Sequence, residues 1–322
     1  MKKMLKIILI AAAVIVLVLV LAVVGLALLA NYRSDHYYQY ATPAGGLEAK
    51  YTALGPYEVA HTSFEASDEA WGSYEVWYPA GLEDSGQNWP LVILVNGTGT
   101  PAAKYQAVFR HLASWGFIVA GNGDENARTG ASSSATLDLL LAQNQDPDSP
   151  FYRRVDPDRV GIAGHSQGGV GAIHAVTAQP NGGIYRALYT ASATSNYWGQ
   201  DQVLGPEWRY DASQVTLPWF MTAGTGYFDA GTAADITANE GQGICPLWDM
   251  EYNYDLVPDG VSKVMARAVG RDHGDMLHCG DAYMTAWFLY WLREDAQAGG
   301  AFFGENPELF SNPNWQDVRG NG

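Results

Sequence analysis

Cysteine is scarce: 322 residues hold only Cys245 and Cys279. That excludes a disulfide-framework fold. No CxxC pair or His–Cys cluster suggests zinc, so neither a metal nor an organic cofactor is expected. Positive charge is scarce as well, with 18 Lys and Arg against 34 Asp and Glu. Lys2, Lys3 and Lys6 are the only charged residues of the first thirty, which leaves 15 basic against 34 acidic residues beyond them, a net of −19. Such a surface argues against nucleic acid and anionic lipid headgroups as partners. Internal repeats are absent, and no composition shift marks a second globular domain; a monomer is expected.

Charge of either sign is missing altogether from Ile7 to Ala30. At about 1.5 Å per residue this run reaches roughly 36 Å, enough to cross a ~30 Å hydrocarbon layer with some tilt. The apolar region of a cleaved signal is shorter, about 7–15 residues. Residues 1–30 are therefore expected to be an uncleaved signal anchor. The lysines ahead of it place the N-terminus inside and the remainder outside the membrane. Secretion after cleavage is the alternative. Residues 31–46, "NYRSDHYYQYATPAGG", read as a tether, and 47–322 as one domain. With 48% hydrophobic and 16% charged residues the chain can bury a sizeable core.

What is present is an alternation of strand and helix patterns. "YEVAHTSFE" and "SYEVWYP" alternate as two antiparallel edge strands would. "WPLVILV" is continuously apolar, as in a strand covered on both faces. "AKYQAVFRHLASWG" places Val108, Leu112 and Trp115 on one helical face and stops at Gly116. "FIVAGN", the helix "SSSATLDLLLAQN", "RVGIAG", "RALYTAS", "LPWFMTAG" and "KVMARAVG" continue the series. Met284, Trp287, Phe288, Trp291 and Leu292 mark a terminal helix. The pattern implies an α/β fold: a mostly parallel central sheet, helices on both faces, antiparallel strands at the N-terminal edge. Asp229 to Pro258 lacks periodicity and reads as an excursion near the active-site face.

Gly164-His165-Ser166-Gln167-Gly168 matches G-x-S-x-G between a strand and a helix, the context of a nucleophile elbow. Glycines on both sides of Ser166 allow a turn sharp enough to project its hydroxyl. A glycine-rich strand-to-helix turn without chemistry is the bland alternative. A serine needs a base. His36, His61, His111 and His174 read as surface or packing residues, and the His165 side chain should point away from the serine. His273 follows the last strand in a glycine-flanked loop, where sites of open α/β sheets gather; His278 is the reserve. The acid should follow the strand after the serine helix. Asp229 fits, with Asp235 in reserve and Asp249 or Asp255 after a longer detour. Backbone N–H groups of Gln167 and of Thr98, in "NGTGT", are the expected oxyanion donors.

These stretches resemble the bacterial cutinase-like polyester hydrolases, the α/β-hydrolase group that includes poly(ethylene terephthalate) hydrolases. The likeness runs from about Leu47 to Leu292 and rests on "GPYEV", "VNGTGT", "RHLASWGFIV", "SPFYRRVDPDRVGIAGHSQGG" and "VTLPWFMTAGT". It implies Ser166 as nucleophile, His273 as base, Asp229 as acid, and substrate contacts at Thr98, His165 and Trp198. The chain departs from the family at Thr98, where an aromatic is usual, at Gln167, where Met is usual, and at Thr194, where Trp is usual. The expected function is a serine carboxylesterase working through an acyl-enzyme. Its expected substrates are small aliphatic and aryl esters rather than crystalline polyester, under a roof of Tyr227, Phe228, Trp248, Tyr252 and Tyr254. An idle hydrolase fold serving as a surface binding or scaffold ectodomain is the alternative. Cys245, in the excursion, and Cys279, six residues past His273, are expected to form a bridge pinning the base's loop.

Overall fold

The computed structural model describes residues 2–66 and 68–321. The chain divides into two compact units, Met1–Tyr40 and Ala41–Gly322. The first is built on one α-helix, α1 (Lys2–Asp35). Among the described residues it is the one helix long and apolar enough to cross a membrane. It continues past Ala30 because Asn31 to Asp35 holds no glycine or proline to stop it.

The second unit is a nine-stranded sheet. Its strands are β1 (Val59–Glu65), β2 (Ser73–Pro79), β3 (Trp89–Val95), β4 (Ile118–Asn122), β5 (Val155–His165), β6 (Tyr185–Ala191), β7 (Trp219–Gly224), β8 (Lys263–Ala268) and β9 (Trp315–Gly320). The spatial order is β1-β2-β4-β3-β5-β6-β7-β8-β9. Pairings from β4 through β8 are parallel, while β1 and β2 at one edge and β9 at the other run antiparallel to their neighbours. This is the mainly parallel sheet that the sequence pattern implies. The edge strand β9 was not foreseen: "WQDVRG" has no apolar alternation, and it is held by pairing to β8 and by the Arg267–Asp317 ion pair of 2.8 Å.

The principal helices are α2 (Gly46–Thr52), α3 (Gln106–Ser114), α4 (Ala131–Gln143), α5 (Gln167–Thr177), α6 (Tyr227–Ala230), α7 (Leu247–Leu256), α8 (Met276–Cys279) and α9 (Asp281–Arg293). Side-chain alternation splits them between two layers. Leu91, Ile93, Val95, Val160 and Ile162 share a core with Leu137, Leu140, Val170 and Ile173 of α4 and α5. Gly121 and Gly161 have the opposite parity and lie against Phe109 of α3 and Phe288 of α9. Helix α7 occupies part of the stretch expected to be irregular. Its Tyr254 is buried, with the Arg319 guanidinium 4.3 Å and the Lys263 ammonium 4.9 Å from its ring, so it forms no roof.

A buried ion pair ties α3 to α9. His111 Nδ1 donates to Asp281 at 2.7 Å, and Nε2 faces the carbonyls of Thr52 at 3.1 Å and Ala53 at 3.0 Å. A ring donating from both nitrogens is an imidazolium. Burial pushes its pKa down, but Asp281 and the carbonyls outweigh burial and raise it above the ordinary histidine value. Its contribution to stability is therefore complete below about pH 6.5 and is lost as pH rises through the folded value. Asp281→Asn should cost about 3–5 kcal/mol under acidic conditions, and the deficit should shrink at alkaline pH. Urea denaturation of both chains at about pH 5.5 and about pH 9 reads this; a deficit that grew with pH would reject the imidazolium.

Candidate active site

Strand β5 ends in the Gly164–Gly169 turn, and α5 begins at once. Ser166 takes φ 59° and ψ −125°, a region that side chains other than glycine rarely enter. The turn works because its neighbours have no Cβ. A Cβ on Gly164 would collide with the Gly168 carbonyl, and one on Gly168 would collide with the carbonyl of Val95 in β3. The bend is pinned by Ser166 N–H donating to the Ala191 carbonyl at 3.0 Å and by Gly169 N–H donating to the Ser166 carbonyl at 2.9 Å.

The loops after β7 and β8 converge on that serine. His273 Nε2 lies 2.9 Å from Ser166 Oγ, and His273 Nδ1 lies 2.8 Å from Asp229 Oδ1. Asp229 is fully buried in α6. Its second oxygen, Oδ2, accepts from the Ser192 hydroxyl at 2.5 Å and from Gly224 N–H at 2.7 Å. Nδ1 therefore carries the ring proton toward Asp229, and Nε2 is free to accept from the serine. His278, in α8, is not part of this line, and Asp235 sits on an exposed loop where its carboxylate accepts from Thr237. Asp249 is buried in α7 and holds Asn196 N–H at 3.2 Å; burial lifts its carboxyl to about 7.

Thr98 and Gln167 meet across the turn, with Gln167 Nε2 donating to Thr98 Oγ1 at 3.0 Å. Thr98 is exposed and Gln167 buried. Among the described residues, neither backbone N–H donates to a backbone acceptor. The loop under Thr98 is fixed by Asn96, whose amide donates to the carbonyls of Asn122 at 2.6 Å and Asp124 at 3.0 Å.

His165 packs against His273. Its ring lies beside the His273 ring, with centroids 4.9 Å apart, and its Nε2 is 2.9 Å from the His273 carbonyl. Burial and the neighbouring His273 push its pKa down to about 4. Trp198 is tied by its indole nitrogen to the Gly243 carbonyl at 3.0 Å, while Tyr227 and Phe228 stand exposed beside Asp229. Sequence reasoning missed Ser192, for which no spacing signals a partner to the acid. It also missed Asp272, although "DHGD" before a helical turn carries the D-x-x-D form of a cap.

The expected Cys245–Cys279 bridge is absent: both are free thiols. Cys245 is buried, its N–H bound to the Asp229 carbonyl at 3.1 Å, whereas Cys279 Sγ turns to Met276 Sδ, 3.5 Å away in its own helical turn.

An elbow serine at the end of the fifth strand of this sheet, reached by loops after the seventh and eighth, defines an α/β-hydrolase. A family model described as PET hydrolase-like matches residues 35–202, and the chain belongs to that family. The match includes Ser166 but ends before Asp229 and His273. Bis(hydroxyethyl) terephthalate hydrolase of Streptomyces coelicolor is 30% identical over 129 residues, 39% of this chain and 41% of that protein.

Burial pushes the Cys245 thiol well above its usual range and the Cys279 thiol to about 12. Both should alkylate slowly in the folded chain, since the thiolate is the reactive form. Two thiols should titrate in the unfolded, unreduced chain; none would restore the bridge.

Proposed function

We propose that the chain is a serine carboxylesterase whose acyl-enzyme forms on Ser166. The observation that carries the reading is the hydrogen-bonded line from Ser166 through His273 to buried Asp229, set on a strained elbow. Ser166 Oγ attacks the ester carbonyl as its proton passes to His273 Nε2. The tetrahedral oxyanion is received by the N–H groups of Thr98 and Gln167. The bond to the leaving oxygen then breaks, and His273 returns the proton to the departing alcohol. Water repeats the sequence: it loses a proton to Nε2, attacks the acyl carbon, and frees the carboxylic acid and the serine. Asp229 keeps the imidazole oriented and offsets its transient charge without taking the proton.

Membership in the PET hydrolase-like family and the likeness to a terephthalate diester hydrolase support esters of aromatic acids as substrates. Thr98, His165 and Trp198 would contact the acyl part. The helix α1 would hold the catalytic unit outside a membrane as a signal anchor, with lysines on the inner side. A cleaved leader would release the same unit.

A fluorophosphonate probe on the detergent-solubilised full chain tests the mechanism. The parent should label and Ser166→Ala should not. Ser166→Ala and His273→Ala should each lower kcat about 10⁶-fold and Asp229→Asn about 10⁴-fold, while Asp235→Ala leaves it unchanged. Failure of the folded parent to label would favour the idle scaffold.

Substrate range is read from p-nitrophenyl esters, soluble terephthalate diesters and polyester film in parallel. The soluble esters should turn over and film should resist. An aromatic residue at Thr98 should improve aryl esters about three- to tenfold over aliphatic ones, the worth of one ring pair. Film hydrolysis at the rate of the soluble diester would reject this preference.

A further inference from the structure

Asp272 lies outside the line of Ser166, His273 and Asp229, yet its carboxylate touches both loops that supply the base and the acid. Oδ1 accepts the backbone N–H of His273 at 2.8 Å and that of Asp229 at 3.0 Å. Oδ2 accepts the N–H of Phe228 at 3.2 Å. The residue is held in return: its own N–H donates to Asp275 Oδ2 at 3.1 Å, closing a capping box over the His273–Asp275 turn.

The position explains the need. Regular pairing of β7 with β8 stops at Gly224 and Ala268, and the acid and the base stand beyond it. Two backbone bonds, Thr225 N–H to Ala268 O at 3.2 Å and Gly226 N–H to Arg271 O at 2.7 Å, carry the loops a little further together. Past those bonds, one anionic acceptor serves amides from both loops. Bonds to an ionised acceptor are roughly twice as strong as neutral ones. The opposite side of His273 is fixed by His165, whose Nε2 holds the His273 carbonyl.

We propose that Asp272 is a positioning residue, a carboxylate staple that sets Asp229 against His273 through their backbones and adds a second negative charge beside the imidazolium. This rests on the serine-esterase reading of the same site. Burial raises the Asp272 carboxyl, but the three N–H donors and His273 outweigh it and hold the group below its ordinary range, so the staple stays ionised at neutral pH. The titratable groups around His273 are Asp229 on α6, His165 at the end of β5, and Arg271, Asp272, Asp275 and His278 on its own stretch of chain.

Three variants separate the geometry from the charge. Asp272→Ala removes both. Asp272→Asn keeps Oδ1 as the acceptor for His273 and Asp229 but removes the charge and the acceptor for the Phe228 N–H. Gly226→Ala is permitted by its φ of −70°, yet its methyl would stand 2.5 Å from both Cβ and Cγ of Asp272 and press on the staple.

With a p-nitrophenyl ester and the full chain, Asp272→Ala should lower kcat about 10–100-fold with little change in KM, the scale of a misplaced catalytic group. Gly226→Ala should lose kcat in the same direction. Asp272→Asn should lose less kcat but move the acid limb of kcat/KM to lower pH. The sign follows from charge: without the anion the imidazolium is less stable, so His273 becomes a free base at lower pH. Hydrogen exchange at the amides of Phe228, Asp229 and His273 should quicken in Asp272→Ala, a readout independent of turnover. If Asp272→Ala does not fold, Asp272→Asn and Gly226→Ala carry the test. A parent that fails to label with fluorophosphonate overturns the esterase reading and this one with it. A labelled parent whose Asp272 variants keep kcat, acid limb and amide exchange overturns the staple alone.

Discussion

Everything at the site hangs on one strained residue. Ser166 holds a positive φ that costs on the order of 1–3 kcal/mol, and the surrounding packing must over-determine it. Three contacts do so. Gly164 and Gly168 let the two limbs of the turn touch, Gly168 lets α5 press on β3, and Gly169 lets the helix approach Ala193 after β6. A Cβ on Gly169 would stand 2.6 Å from the Ala193 Cβ, so the neighbouring loop is also fixed by the elbow. The serine hydroxyl is presented because β3, β5 and β6 meet there with no side chains between them.

That constraint is also what made the site legible. Three glycines around one serine, between an apolar run and a small-residue helix, have few other uses. The loops carrying His273 and Asp229 were readable because loops after consecutive parallel strands emerge at the same edge of the sheet, but that topology left His278 and Asp235 as alternatives, and the side-chain line to Ser166 is what separates them. The parts that failed depended on side-chain direction. The expected bridge failed because Cys279 Sγ packs against Met276 Sδ within its own helical turn. The place of the His165 ring beside His273 was likewise not readable, because it depends on a carbonyl from 108 residues further along the chain.

Elements escaped notice for a different reason. β9 and α7 lack the periodicity that a half-buried element needs, because their stability comes from specific partners. Lys263 donates to the Val257 carbonyl at 2.6 Å beneath Tyr254, and Arg319 covers the same ring from β9. Cation–π and buried-amine contacts leave no alternating signature. Ser192 carries no sequence signal at all and Asp272 only that of a cap, and only the fold shows that each meets the acid.

The neighbourhood of His273 also has an electrostatic logic. Two imidazoles lie side by side, and if both were protonated each would disfavour the other. Burial keeps one of them neutral. His165 is pushed down to about 4, so at neutral pH it is a neutral ring. Its Nε2 faces a carbonyl and must carry the proton, which leaves Nδ1 unprotonated in a buried position where it has no hydrogen-bond partner among the described residues. His273 therefore has a dipole at its back instead of a competing cation, a buried carboxylate at Nδ1, and the Asp272 carboxylate at its own amide. In the proposed mechanism Nε2 takes a proton from Ser166, and the two carboxylates would favour the new positive charge. The one group placed to oppose that charge has been kept neutral by being taken out of water.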